Sequence, residues 1–173
     1  IFNSKNHNWF AYQLGYRIDN LIFQNSSFIF EYNWTDQRIY KHKYEINDFY
    51  SHGVPLGFWA GPHSEELLAN YSYKVDYFEI SIDYSMVKRG LISDETTIKN
   101  YNDTYNSRYS DGYELKDYFS VRIQTASKVK GLNYIFGINQ IRFENNGLIS
   151  DFSSTNKYSI ELGIFYNYQS SKD

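Results

Sequence analysis

Residues 158–168 read Tyr-Ser-Ile-Glu-Leu-Gly-Ile-Phe-Tyr-Asn-Tyr. Every second position is apolar or aromatic, and the positions between them are mostly polar. A period of two places successive side chains on opposite faces of a β-strand. About ten residues are enough for a tilted strand to cross a membrane. The stretch therefore predicts an amphipathic strand that closes a transmembrane β-barrel.

The same alternation recurs in six further segments of the chain. They are residues 10–19, 28–35, 67–75, 78–86, 119–124 and 134–138. None of them contains Pro, which would interrupt the hydrogen bonds of a β-ladder. In the last of the six, Ile135 occupies the nominally polar face, as does Ile141 just beyond it. The predicted fold class is all-β, an antiparallel barrel wall of about seven strands in one domain, residues 1–173.

Short and long connections alternate between these segments. The short ones lie near residues 21–26, 76–77 and 127–131, and the long ones span about 37–65, 88–114 and 145–156. Outer-membrane barrels combine short periplasmic turns with long outer loops. The first strand is therefore predicted to begin at the outer surface, and the last to end in the periplasm.

An odd number of strands has a consequence for the barrel. Single-chain bacterial barrels have an even strand number, with both ends in the periplasm. An open sheet would also leave unsatisfied backbone groups at its edges in lipid. We therefore expect the C-terminal part of a larger barrel, completed by N-terminal strands and surrounded by outer-membrane lipid.

The composition excludes several other classes of protein. The chain has 19 Tyr, 13 Phe and 3 Trp, but no Cys and a net charge of −3. No apolar run approaches the roughly 18 residues of a membrane helix, which excludes a helical membrane protein. The lack of Cys excludes disulfides and thiolate metal sites. Neither the charge nor any basic stretch indicates a nucleic-acid partner.

The polar face of the predicted strands carries charges of both signs. By the alternation, the lumen-facing charges are Arg17, Glu31, Lys74, Glu79, Asp83, Arg122 and Glu161. Mixed charges at similar depth can pair across strands, whereas a selective pore usually has rings of one sign. This pattern favours a hydrogen-bonded wall. A water-filled porin is the alternative.

The longest loop contains a distinctive motif. Residues 53–64 read Gly-Val-Pro-Leu-Gly-Phe-Trp-Ala-Gly-Pro-His-Ser, follow a Tyr- and His-containing stretch at 38–42, and precede the strand at 67–75. The motif resembles the Wzi-type capsule-assembly family, although Phe58 stands where that family frequently has His. The resemblance implies a bacterial outer-membrane barrel of about eighteen strands. It also implies a non-enzymatic protein, without cofactor, that binds surface polysaccharide and assists capsule assembly or attachment.

Aromatic and imidazole side chains in the loops are the candidate polysaccharide ligands. Sugar rings stack their C–H faces on aromatic rings, and nearby polar groups satisfy their hydroxyls. The candidates are Tyr40, His42, Tyr50, His52, Trp59, His63, Tyr101, Tyr105 and Tyr109. The alternative is that these side chains form the aromatic girdle of a barrel or brace its loops.

Metal binding and catalysis find no support in the residue pattern. The loop histidines are His42, His52 and His63, and their spacings of ten and eleven residues match no metal-ligand motif. No nucleophile, base and orienting group can be identified together. Two non-enzymatic alternatives remain open. One is a porin or solute channel, and the other is a soluble carbohydrate-binding β-sandwich, whose strands also alternate.

Overall fold

The chain forms a large antiparallel β-sheet and a small separate hairpin. The computed structural model describes residues 10–36, 39, 50–51, 54–55, 58–91, 108–109, 112–126, 131–146 and 152–166. The strands are Ala11–Asp19 (β1), Ser26–Thr35 (β2), Tyr50–Ser51 (β3), Val54–Pro55 (β4), Ser64–Val75 (β5), Phe78–Gly90 (β6), Tyr113–Ala126 (β7), Leu132–Asn146 (β8) and Ser153–Tyr166 (β9). Within these ranges no helix is long and apolar enough to cross a membrane. Residues 167 and 168 of the predicted last strand lie outside them.

The seven long strands follow one another across the sheet. Their order is β1-β2-β5-β6-β7-β8-β9, and each neighbouring pair is antiparallel. The short strands β3 and β4 pair only with each other, in the connection between β2 and β5. The all-β prediction is confirmed. In the described part of the chain, no ladder joins β1 to β9, so this sheet is open.

Asn and Asp residues shape the tight turns at one end of the sheet. Asn20 and Asn25 have φ angles of 60° and 63°, and Asp76 has a φ of 46°. These short polar residues tolerate the left-handed conformation better than most others. The Asn25 N–H also donates to the Asn20 side-chain oxygen at 2.8 Å, which closes the β1–β2 turn.

At the opposite end, the strands continue further than their apolar alternation predicts. Strand β5 begins at Ser64, β6 continues to Gly90 and β7 begins at Tyr113. Glu65 lies opposite Lys88 in this extension. Backbone hydrogen bonds and opposite-charge pairs continue a ladder without apolar side chains, so the strands extend into the predicted loops.

The two faces of the sheet differ in exposure. On β9, the apolar side chains of Ile160 and Leu162 are 71% and 78% exposed, whereas Glu161 between them is half-buried. Among the described residues, the only buried hydrophobic residues are Ala60 and Val87. Buried polar residues are more numerous: Ser26, Asn33, Thr35, His63, Ser64, Glu66, Ser120, Glu144 and Asn145. This distribution is the inverse of a soluble core.

A glycine, Gly163 of β9, lies opposite Ile135, one of the apolar residues that break the alternation on β8. A Cβ at position 163 would lie 3.5 Å from the Ile135 Cβ, which is an ordinary van der Waals contact. Ile135 is half-buried on the mostly polar face, and the β8–β9 register continues past it without a break.

Candidate functional site

A tight turn next to β5 presents the Trp59 side chain. The Gly61 N–H donates to the Phe58 carbonyl oxygen at 2.8 Å. Gly61 has a φ of 80°, a conformation that glycine adopts without a Cβ clash. Trp59 is 64% exposed, whereas the adjacent Ala60 is fully buried. The turn thus buries Ala60 against the protein while the indole ring of Trp59 faces solvent.

The hydroxyl of Thr35, at the end of β2, forms hydrogen bonds that stabilise this turn. This hydroxyl accepts the Ser64 N–H at 3.1 Å and lies 2.9 Å from the Gly61 carbonyl oxygen. The Ser64 hydroxyl donates to the same Gly61 carbonyl at 2.6 Å. Thr35 and Ser64 are both buried. The Gly-Pro-His-Ser part of the sequence motif is therefore a hydrogen-bonded junction between β2 and β5.

Beside the turn lies an open cleft of about 600 Å³. We call it the Trp59 cleft, and its lining includes Gln13, Glu31, Asn33, Phe58, Trp59, Glu66 and Leu68. Gln13, Asn33 and Glu66 occupy neighbouring register positions on β1, β2 and β5. Side chains at such positions share one face of a sheet. The cleft thus lies on the polar face, at the end of the strands remote from the tight turns.

Glu66 orients the aromatic wall of the Trp59 cleft. The Trp59 indole N–H donates to the Glu66 Oε1 atom at 3.0 Å, and the Asn33 side-chain amide donates to Oε2 at 2.9 Å. Asn33 and Glu66 are buried. A carboxylate has about four lone-pair sites, so these two bonds leave Glu66 with acceptor capacity. The arrangement combines an exposed, fixed indole ring with hydrogen-bonding groups at its edge.

Arg108 joins the long connection after β6 to the β2–β5 junction. Its guanidinium group donates to the Thr35 carbonyl at 2.9 Å and to the Ser64 carbonyl at 2.6 Å. The same group lies 4.4 Å from the centre of the Trp34 ring, within cation–π range. The position of Arg108 is therefore set by backbone carbonyls and an aromatic face.

His63 and Tyr109 form a packed pair. Their rings are parallel, with centroids 5.0 Å apart. The Tyr109 N–H donates to the His63 Nε2 atom at 3.4 Å, and His63 Nδ1 lies 2.9 Å from the Leu91 carbonyl. Since Nε2 accepts, a neutral imidazole carries its proton on Nδ1 and donates to Leu91. Burial raises the pKa of Tyr109 to about 12, against an ordinary value near 10.

The histidine ring also depends on a glycine. A Cβ at Gly90 would lie 2.1 Å from a carbon of the His63 ring. Gly90 faces His63 across the end of the β5–β6 ladder, and its N–H donates to the His63 carbonyl at 2.8 Å. The buried imidazole therefore occupies space that only a residue without a side chain leaves open.

The seven predicted lumen charges share one face of the sheet by register. Arg122 contacts Glu161 at 3.1 Å, reaching across Gly137 on the strand between them. Of the other five, Arg17 pairs with Asp19, Lys74 lies opposite Glu79, Asp83 accepts from Asn70, and Glu31 lines the Trp59 cleft. Whether this face lines a lumen stays a prediction.

The structure brings some of the predicted ligand residues together and separates others. His63 and Tyr109 meet in one stack, while Trp59 stands in the cleft. For Tyr50 only the strand assignment is described. Five predicted candidates lie outside the described residues: Tyr40, His42, His52, Tyr101 and Tyr105.

Asn33, Glu66 and Arg108 are site residues that the sequence did not single out. The sequence could have indicated Asn33, because this residue lies on the polar face of its predicted strand. Glu66 belongs to a strand extension that the apolar pattern missed. Arg108 makes its contacts 44 and 73 residues away along the chain, and no local pattern indicates such a pairing.

Comparisons with known proteins leave the motif as the basis of the family resemblance. No family model matches this chain, no curated protein matches its sequence, and no solved structure matches its fold. In the described ranges, no group of three or more His, Cys, Asp or Glu side chains could hold a metal ion.

Proposed function

We propose that this chain forms part of the wall of a bacterial outer-membrane β-barrel that binds surface polysaccharide. Its role is to assist the assembly or attachment of the capsule, and it catalyses no reaction. The Trp59 cleft is its polysaccharide site. Three observations support this role: the motif resemblance, the exposure pattern of the sheet and the geometry of the cleft.

The observation that carries the membrane assignment is the exposed apolar face of the sheet. The outward side chains of β9 from Tyr158 to Tyr166 are between 60% and 78% exposed. On β1 the outward side chains are between 39% exposed, at Ile18, and 61% exposed, at Leu14. Contiguous apolar surface of this extent marks a protein or membrane contact. A lipid-facing barrel wall needs this outward apolar band.

The exposure pattern also weighs against the soluble sandwich. A sandwich packs two sheets over a shared core of inward apolar side chains. Here the described strands supply one large sheet, and Val87 is the one buried hydrophobic residue on its strands. The unpaired edges of β1 and β9 would be costly in lipid unless further strands pair with them. A larger barrel provides such strands.

The Trp59 cleft supports the polysaccharide part of the proposal. An exposed indole ring offers a flat apolar platform for the C–H face of a sugar. Glu66, Asn33 and Gln13 at its edge can accept or donate hydrogen bonds to sugar hydroxyls. A few well-placed polar groups beside an aromatic surface are typical of small-ligand sites.

The test is the ratio of cell-attached to shed surface polysaccharide in cells that lack the full-length gene. We expect polysaccharide synthesis to continue while most of the product enters the medium. The intact gene should restore attachment, and a Trp59→Ala gene should restore less of it. Tyr77→Ala is the matched control, because Tyr77 is an aromatic residue with 72% exposure at the opposite end of the sheet.

Unchanged attachment in the deleted cells would refute the capsule role. Single-channel conductance of the intact barrel would then test the transport alternative. Heat-modifiable gel mobility and dependence on detergent test the membrane assignment separately. If the protein shows neither heat-modifiable mobility nor dependence on detergent, the barrel assignment itself is contradicted.

A further inference from the structure

We infer that the Trp59 cleft selects sugar units without acidic groups, an inference that rests on the proposed function. The polysaccharide segment that binds here carries no uronate, sulfate or phosphate on the units that touch the cleft. The charges and hydrogen-bond capacities of the lining residues support this selectivity.

The lining of the cleft is rich in hydrogen-bond acceptors and contains two acids. Glu31 and Glu66 line it together with the amides of Gln13 and Asn33. Among the described lining residues there is no Lys, Arg or His. Ionised carboxylates only accept hydrogen bonds, and sugar hydroxyls can donate them. An acidic sugar would place its own carboxylate beside groups that repel it.

Two described cations, Arg108 and Lys116, have other partners. Both terminal nitrogens of Arg108 donate to backbone carbonyls, those of Thr35 and Ser64. Lys116 occupies the same register row as Glu66, with Val87 between them, and contacts Glu114 at 3.1 Å. Neither cation lines the cleft. Among the described lining residues, a bound anionic group would therefore meet two carboxylates and no cation.

The aromatic ring of Trp59 also favours sugar units without acidic groups. Because the indole N–H already donates to Glu66 at 3.0 Å, Trp59 offers its ring face rather than a donor. The face of an aromatic ring is its negative side. It attracts C–H groups and cations, and it disfavours an anionic substituent. The ring face and the two carboxylates thus select against acidic sugars in the same direction, whereas the amides of Gln13 and Asn33 carry no charge.

The experiment compares two forms of one polysaccharide on the full-length protein in detergent micelles. The polysaccharide comes from the surface of cells that make the protein. In one form the uronic acids are chemically reduced to neutral sugars, and in the other the primary hydroxyls are oxidised to carboxylates. We expect the reduced form to bind at least about tenfold more tightly near 10 mM salt, where charge repulsion is weakly screened. The difference should shrink near 1 M salt.

Glu31→Gln isolates the charge from the shape of the cleft. It should raise the affinity for the oxidised form, relative to that for the reduced form, about threefold at low salt. Glu79→Gln is the matched control, because Glu79 shares the same face near a tight turn, and it should change neither affinity. Equal or tighter binding of the oxidised form by the unchanged protein would overturn the inference while leaving polysaccharide binding intact. Failure of both forms to bind would instead refute the proposed function, and this inference with it.

Discussion

The β8–β9 hairpin and the β2–β5 junction are built by different kinds of interaction. In the hairpin, exposed apolar and half-buried side chains alternate over residues 160–166 of β9, and neighbours in sequence determine the pattern. At the junction, Thr35, Gly61 and Ser64 join through buried hydrogen bonds between residues up to 29 positions apart. The structure of the hairpin follows from the two-residue period of its apolar side chains. The junction forms only when a specific set of polar groups comes together.

The two regions differ in what stabilises them. The β8–β9 hairpin depends on its surroundings, whereas the β2–β5 junction depends on hydrogen bonds within the chain. The apolar face of the hairpin gains free energy only when an apolar environment covers it, which in the proposed barrel is lipid or detergent. The junction buries its polar groups within the chain, and each unmade bond there leaves a desolvated donor or acceptor. The cost of a substitution in the hairpin should therefore depend on what covers its apolar face. The cost of a substitution at the junction should depend on which buried hydrogen bonds are lost.

Leu162→Arg should have the largest effect on folding. Leu162 lies in the middle of the exposed apolar row of β9. A charge that faces lipid near the midplane costs about 2–4 kcal/mol. The free energy of unfolding in urea, measured in lipid or micelles by gel mobility, should fall by that amount. Glu161→Gln, on the other face, is the control and should cost less than about 1 kcal/mol, because its ion pair with Arg122 is partly exposed. Equal costs at 161 and 162 would contradict the facing of β9.

Thr35→Val tests the junction with almost no change of volume. The Ser64 N–H would lose its acceptor at a buried position. We expect a loss of about 1–3 kcal/mol in the free energy of unfolding. Thr125→Val is the control, since the Thr125 hydroxyl makes only a 3.5 Å exposed contact, and its effect should stay within about 0.5 kcal/mol. A neutral Thr35→Val would show that water replaces the missing hydroxyl.

Trp59→Phe should separate stability from binding at the same position. The substitution keeps an aromatic face but removes the indole N–H that donates to Glu66. The free energy of unfolding should fall by about 0.5–1.5 kcal/mol, and affinity for polysaccharide should fall less than in Trp59→Ala. Isothermal titration of both variants provides the comparison. If Trp59→Ala binds like the unchanged protein, the ring is not a ligand platform.

The smallest effect is confined to alkaline pH. Burial raises the pKa of Tyr109 to about 12, from 10.0. Below pH 10 the phenol is protonated in both folded and unfolded chains, so its contribution to stability is fully present. Between pH 10 and 12 the unfolded chain loses its proton first, and stability should fall as pH rises. Urea unfolding at pH 9 and pH 11 should show a smaller fall for Tyr109→Phe than for the unchanged protein. An identical fall would show that Tyr109 titrates normally.

The strand pattern was readable from the chain because its determinants are local. All seven predicted segments are strands of the large sheet, and the alternation on β9 correctly separates the exposed Leu162 from the half-buried Glu161. The strand ends were less predictable. Charged residues such as Glu65 and Lys88 read as loop, yet they continue the β5–β6 ladder, because backbone pairing does not depend on apolar side chains.

The candidate site was predictable only in part. Aromatic loop residues can be recognised one by one, and Trp59 does stand exposed beside a cleft. Its partner Glu66 and the packing of His63 against Tyr109 and Gly90 depend on which residues meet after folding. His63 was predicted as a candidate ligand, and the structure places its ring in a buried position.

The sequence by itself determined the β-class, the seven long strands and the division into apolar and polar faces. These follow from a period of two, which neighbouring residues impose without reference to the rest of the chain. Only the tertiary structure decided that Gln13, Asn33 and Glu66 share one row, that Thr35 supports the Trp59 turn, and that Arg108 joins it. Those contacts come from register and from the requirement that buried polar groups find partners, and both are properties of the folded sheet.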